Sequence, residues 1–217
     1  LHGLRPYQRR TRYGGREERH VRVSGRQVHK PLQLRQQPLT PAGDTPNKDY
    51  TIVTSLKYDD NGDLWVLNAH CVNSLKKLAA DGTWTTYEHP EFSRENSFNL
   101  QKVFISPTNG RMWFVNNYYD YSYLYSYNRT TDELITYGYT FSYQNGNSVR
   151  PNYIYYTIED KEGNVWIATN SGPLYITAEN IRSGSQEFTK YVVPRNDGTN
   201  LGDYLLDNIG IRSMAVD

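Results

Sequence analysis

The sequence predicts an all-β fold: an incomplete β-propeller of about three four-stranded antiparallel blades plus the first strand of a fourth, preceded by a poorly structured N-terminal arm. Three observations carry this. A degenerate segment occurs three times, as Asp59-Asp60-Asn61-Gly62-Asp63-Leu64-Trp65, Pro107-Thr108-Asn109-Gly110-Arg111-Met112-Trp113 and Asp160-Lys161-Glu162-Gly163-Asn164-Val165-Trp166, always with Gly three residues before Trp. The tryptophans lie 48 and 53 positions apart, and a period of roughly 40 to 50 residues with about four short strands per unit marks propeller blades. Ahead of each copy the residues alternate or run apolar (Val53, Leu56, Tyr58; Val103, Ile105; Ile154, Tyr156, Ile158), so each copy reads as strand, turn, strand.

Taken in order, each element has its own justification. Gly62, Gly110 and Gly163 supply the positive φ of a tight hairpin turn. Asp59 and Asp160 can accept from their own downstream backbone, and Trp65, Trp113 and Trp166 open a second, half-buried strand. Third and fourth strands follow at Ser74–Leu78 and Thr83–Tyr87, about the turn Asp81-Gly82. In the second unit they fall at Tyr121–Tyr127 and Leu134–Tyr139, flanking the polar run Asn128–Glu133. In the third they fall at Pro173–Ile176 and Phe188–Val193, around a polar insertion from Ala178 to Gln186. Ile211–Asp217 begins the next unit, because Asp217 stands where Asp59 and Asp160 do. The blades therefore span about 50–97, 98–146 and 147–207, with another starting at 208–217, inside a domain of residues 47–217. Three blades and a strand cannot close a ring of four to eight, so the expected partners include the remaining blades of the same propeller, and the chain reads as a fragment.

Over Tyr50–Asp217 the pattern Asp-x-x-Gly-x-apolar-Trp-apolar-x-Thr/Asn resembles the two-component-regulator propeller repeat. Such repeats build periplasmic sensors of hybrid two-component systems in Bacteroidetes-type bacteria, and similar ones form surface propellers associated with the type IX secretion sortase. The resemblance thus implies a periplasmic or outer-membrane-surface location. Gly172–Ile176, Asn180-Ile181 and Asp207-Asn208-Ile209 are nearer the secretion-associated group. After the Trp strand, the family's usual Gly-Thr is replaced by Leu67-Asn68, Val115-Asn116 and Ala168-Thr169.

Residues 1–46 are a different material. They hold nine of the sixteen arginines and ten basic against three acidic residues, with no Trp; their net charge is +7 against −6 for the remainder. Three readings stand: a blade translated out of frame, a natural disordered tail, or a basic arm for nucleic acid. In the first two the segment contributes no core. No window approaches 18 consecutive apolar residues, so no transmembrane span is expected, and no basic-then-apolar leader opens the chain.

Catalytic and cofactor signatures are absent from this reading, and neither a cofactor nor a metal is expected. Cys71 stands beside His70, but neighbours on a strand point to opposite faces and would not pair as thiolate and base. Asp59–Asp63 begins like a calcium loop, yet Leu64 replaces the Gly such a loop needs at its sixth position and His70 the Glu at its twelfth. Glu159-Asp160 lies in the repeat's turn, which suits capping better than acid–base work. Asn128-Arg129-Thr130 fits the glycosylation triplet, a pattern frequent by chance.

The richest surface is a tyrosine band: twelve tyrosines fall between Tyr118 and Tyr156. Phenol rings can stack on sugar faces while their hydroxyls bond the sugar's own, making Tyr118, Tyr119, Tyr121 and Tyr123 candidate ligand-binding residues. The alternative is blade-to-blade packing, since Tyr121, Tyr123, Tyr125 and Tyr127 share a strand face. From Tyr118 to Tyr127 no basic residue interleaves the band, which disfavours single-stranded nucleic acid. The expectation is a non-catalytic envelope propeller that binds an oligosaccharide or a partner protein. An assembly scaffold of type IX secretion is the second reading, and a propeller lyase or glycosidase the third.

Overall fold

The computed structural model describes residues 38–43, 50–92 and 99–217. The arm expected over 1–46 lies outside them except for 38–43. Those six pack where no core was expected: Ala42 is buried, Thr40 N–H donates to Asn68 Oδ1 at 2.6 Å, and Gly43 N–H donates to the His70 carbonyl at 2.8 Å. The compact unit accordingly begins at Pro38.

Two consecutive four-stranded antiparallel meanders follow: β1 (Ile52–Tyr58), β2 (Leu64–Ala69), β3 (Leu75–Leu78) and β4 (Trp84–Tyr87), then β5 (Leu100–Ile105), β6 (Met112–Tyr118), β7 (Tyr121–Asn128) and β8 (Glu133–Thr136). After a short hairpin of β9 (Phe141–Tyr143) and β10 (Asn147–Val149), a third meander holds β11 (Ile154–Glu159), β12 (Val165–Thr169) and β13 (Gly172–Ile176). Trp65, Trp113 and Trp166 are each the second residue of the second strand, facing Lys57, Phe104 and Ile158 across the first hairpin.

The turn before each Trp shows why the repeat has its residues. Asp59 Oδ1 accepts from the N–H groups of Asn61 and Asp63, both at 3.0 Å, and its Oδ2 accepts from Trp65 Nε1 at 2.9 Å. Asp160 repeats this with Glu162, Asn164 and Trp166 Nε1, the last at 2.7 Å. One carboxylate thus closes the turn and fixes the indole. Blade two departs. Its turn closes from Ser106 to Arg111, one residue longer than Asp59 to Asp63. Pro107 stands six residues before Trp113, where the others have Asp, and Trp113 Nε1 is buried without a hydrogen-bond partner. Glu159 of blade three reaches across instead, accepting from Ser106 Oγ and, at 3.1 Å, from Thr108 N–H.

Every sheet face turned toward a neighbouring blade is apolar. Trp65, Leu67, Phe92, Met112, Phe114 and Tyr127 fill the seam between blades one and two. Trp113, Val115, Leu124, Ile154, Val165 and Ile167 belong to the seam of blades two and three. Period two explains the division, since Met112 and Phe114 leave β6 on one side and Trp113 and Val115 on the other. Being covered on both faces, β6 is buried over Met112–Asn117, whereas β1 leaves Leu56 and Tyr58 exposed. The first strands β1, β5 and β11 meet from blade to blade. Val103 N–H donates to Ser55 Oγ at 3.0 Å, and Thr54 Oγ1 donates to the Leu100 carbonyl.

Blade three differs from expectation at its outer edge. Only Tyr175 and Thr189 form a reciprocal backbone pair, at 3.0 and 2.7 Å, where a fourth strand over Phe188–Val193 was predicted. The next ladder position on that edge is Pro173, which has no N–H to donate, so the pairing stops. Val192–Pro194 (β14) pairs instead with Gly202–Tyr204 (β15) in a separate hairpin. The predicted insertion after Ile176 contains a helix, α1 (Ala178–Ser183), capped by Thr177 Oγ1 accepting from Asn180 N–H and ended by Gly184 at φ 75°. Ile211–Asp217 forms no strand; Ile211 N–H donates to the Thr169 carbonyl at 2.9 Å, and no second strand pairs with the segment among the described residues. No helix among the described residues is long and apolar enough to cross a membrane.

Candidate functional site: a tyrosine-lined cleft on blade two

The hairpin of β6 and β7 turns through Tyr119-Asp120, so Tyr118 and Tyr121 face each other at its tip. Along β7, Tyr121, Tyr123, Tyr125 and Tyr127 lie on one face by period two, and burial deepens along them. Tyr127 belongs to the seam: its ring lies 5.9 Å from Trp65 and 5.7 Å from Tyr87, and its hydroxyl donates to Asp132 Oδ1 at 2.8 Å. Tyr125 is buried, while Tyr121 and Tyr123 are half-buried at the other end.

There the face opens into a cleft of about 280 Å³, walled by Tyr118, Tyr121, Tyr123 and Tyr125. Three further described residues line it. Asn116 on β6 pairs with Tyr123, and Thr136 ends β8 opposite Tyr125. Glu91 comes from the 3-10 turn Pro90–Phe92 that follows blade one. The rings interlock: Tyr121 and Tyr123 meet edge to face at 5.6 Å, and Tyr139 packs at 5.1 and 5.3 Å from them. The guanidinium of Arg150 lies 4.5 Å from the Tyr139 ring and 5.3 Å from that of Tyr121.

Of the four predicted residues, Tyr118, Tyr121 and Tyr123 come together here. Tyr119 is 75% exposed and leans edge-on against Tyr118 at 4.9 Å, outside the cleft wall. Sequence reasoning missed Glu91, Asn116 and Thr136 as cleft residues and assigned Tyr125 to packing alone. Tyr125 was findable by extending period two from Tyr123; Glu91 was not, because another blade brings it in.

Electrostatically the cleft is built for hydrogen bonding. Burial pushes the Tyr123 phenol up, with its neighbours Tyr121 and Tyr139 adding to the shift. Tyr125 is pushed up further, by burial first and then by Tyr123 and Glu91. Both hydroxyls therefore stay neutral donors at ordinary pH. Thr136 Oγ1 is buried and has no hydrogen-bond partner. Among the described residues that line the cleft, Glu91 is the one carboxyl group.

The other candidate groups are engaged elsewhere. His70 and Cys71 follow β2, His70 at φ 56°, and the buried Cys71 Sγ donates to the Asn68 carbonyl at 3.0 Å. Burial raises the Cys71 thiol above its ordinary value, opposite to what a nucleophile needs. Glu159 and Asp160 serve the seam and the turn already described, and Asp63 takes up Lys77 at 2.8 Å and Ala80 N–H at 3.0 Å. Asn128 Oδ1 accepts from Thr130 N–H at 3.0 Å.

Blades of four-stranded meander, packed face to face by their second strands, define a β-propeller. Residues 148–171 match the family described as two component regulator propeller, so the chain carries a propeller repeat of that type. Among solved structures the chain is similar to PorZ of Porphyromonas gingivalis, described as an essential bacterial surface component of the type-IX secretion system. That likeness has a TM-score of 0.71 at 17% identity and covers 87% of this chain, which spans about a quarter (26%) of PorZ. A weaker likeness, TM-score 0.45 at 21% identity, covers 64% of this chain and 18% of the extracellular domain of a candidate hybrid two component system from B. thetaiotaomicron. No curated protein sequence matches the chain.

Proposed function

We propose that this protein is a non-catalytic β-propeller module of the bacterial envelope, and that the cleft on blade two binds a carbohydrate. The observation that carries the reading is the convergence of four tyrosines on one concavity with Asn116, Thr136 and Glu91 at its edges. Stacked rings give a sugar an apolar face, and neutral phenols, an amide and a carboxylate address its hydroxyls. A mostly aromatic concavity with a few convergent polar groups is the usual form of a small-ligand site. The envelope location is supported by the repeat type and by the fold shared with PorZ.

Titration of an oligosaccharide panel against the full chain and its Tyr121→Ala and Tyr123→Ala variants tests the reading. Binding should weaken by about 1 to 3 kcal/mol, by analogy with the stacking of bases on aromatic side chains, while the melting curve keeps a single cooperative transition. Undiminished affinity in folded variants would remove the cleft from the proposal.

A second reading, assembly through protein contacts, is favoured by the outer face of blade one, where Leu56 and Tyr58 are 57% and 66% exposed. A further blade or a partner protein would cover them. Charged substitutions at both positions should abolish such assembly in sedimentation and leave sugar binding intact.

A further inference from the structure

We infer that the cleft selects a sugar bearing a free amine, a cationic amino sugar, and that Glu91 is the carboxylate that anchors it. The inference rests on the carbohydrate reading above and adds the charge of the ligand.

Glu91 lines the cleft, yet among the described residues its carboxylate has no hydrogen-bond or ion-pair partner. Its field is felt inside, because it helps raise the Tyr125 phenol, after burial and Tyr123. The tyrosine rings add the negative potential of their faces. A neutral sugar seated there would strip water from an anion and return no charge to it. A sugar acid would bring a second negative charge to the first. An ammonium group answers both features at once, through charge-assisted hydrogen bonds to Glu91 and attraction to the ring faces.

The protein already performs the second half of this recognition on itself. Arg150 holds its guanidinium 4.5 Å from the Tyr139 ring and 5.3 Å from that of Tyr121, with no carboxylate partner among the described residues. The cluster therefore accepts a cation against its rings. Arg150 is not itself among the described residues that line the cleft. At about 280 Å³ the cleft falls just under the roughly 300 Å³ at which small-molecule pockets begin, which suits one pyranose unit of a longer chain.

The test titrates the full 217-residue chain with three oligosaccharides of matched length: glucosamine oligomers, their N-acetylated counterparts and oligogalacturonate. The glucosamine series should bind tightest, by about tenfold over the N-acetylated one, as a charge-assisted contact predicts. Glu91→Gln, matched in shape and checked by its melting curve, should bring that ratio close to one, chiefly by weakening the glucosamine series. Equal or tighter binding of the neutral or acidic series, or a ratio unmoved by Glu91→Gln, would overturn the amino-sugar assignment and leave the carbohydrate reading standing. No binding by any of the three would sink both. Oligolysine serves as a control: if it binds and glucosamine oligomers do not, the cation belongs to a protein partner and the sugar assignment fails.

Discussion

At the scale of single residues, the three tryptophans separate two contributions that usually arrive together. Trp65 and Trp113 are equally buried and both lie in blade seams, but Trp65 donates to Asp59 while the Trp113 indole N–H has no partner. Replacing either by Phe leaves a cavity; only at position 65 is a charge-assisted hydrogen bond lost as well, and at position 113 an unsatisfied donor is removed. Trp65→Phe should therefore cost about 1 to 3 kcal/mol more than Trp113→Phe in denaturant unfolding, and equal costs would show that the Asp–indole contact contributes nothing. Asp160 carries a pH signature of the same motif. Burial pulls its carboxyl upward, but hydrogen bonds from Trp166, Asn164 and Glu162 outweigh this and hold it below the ordinary aspartate value. A depressed folded-state value means the contribution is whole above the unfolded value, near 3.9, and is lost as pH falls through the folded one. Melting temperature should thus fall less steeply below about pH 4 in Asp160→Asn than in the parent chain.

At the scale of elements, the repeat made the first three strands of every blade legible, because Gly, turn carboxylate and Trp all act within eight residues of one another. What escaped reading depends on partners distant in sequence or on a single missing donor. The fourth strand of blade three was written plainly in Phe188–Val193 by composition, yet Pro173 on the neighbouring strand ends its ladder after one pair. The helix α1 left signals that could have been used, Thr177 ahead of it and Gly184 behind. Nothing local announced that β9 would lie beside Phe188, where Phe188 N–H donates to the Ser142 carbonyl at 2.9 Å. The cleft was half legible for the same reason: its tyrosines share a strand and a hairpin, whereas Glu91 arrives from another blade. Gly172 offers a test of how the tail is held. At φ 96°, a Cβ there would stand 2.9 Å from the Leu206 carbonyl oxygen. Gly172→Ala should cost more than the ~1 kcal/mol typical of an unfavourable backbone alone, and hydrogen exchange should quicken around residues 204–209. At Gly82, φ 91° with open space around it, the same change should cost only the backbone share.

At the scale of the whole molecule, the blades are joined by polar ties as well as by apolar seams. Arg129 of blade two donates to Asp59 of blade one at 2.7 Å and to the Gly110 carbonyl at 2.7 Å, with its guanidinium 6.0 Å from the Trp65 ring. The Asp59 side chain is almost wholly buried. A double-mutant cycle between Asp59→Ala and Arg129→Ala should return a coupling above about 1 kcal/mol, within the range for residues in direct contact; additivity would mean that the blades are coupled by the seam alone. The tryptophans also give the stack a direction. Trp65 and Trp113 each face the following blade and are buried, and Trp166, facing outward from blade three against Tyr175 and Tyr191, is only half-buried.

The irregularity shared by the first strands has a consequence for how the molecule behaves in a crowd. Register slips between Val53 and Ser55, between Gln101 and Phe104, and between Ile154 and Tyr156, so the same strand is bulged at a matching place in all three blades. Each of these strands has a hairpin neighbour on one side only, and on the other side some of its backbone groups are met by side chains instead of a second ladder, as where Val103 N–H donates to Ser55 Oγ. A straight strand in that position is a template on which a stray chain can extend the sheet. A bulged one is twisted out of step with any regular newcomer, so copies meeting along these strands cannot zip together. The outer edges of blades one and two, β4 and β8, are four residues each, too short to hold a foreign strand firmly. A repeat protein that presents the same edge again and again is thereby kept from polymerising through it.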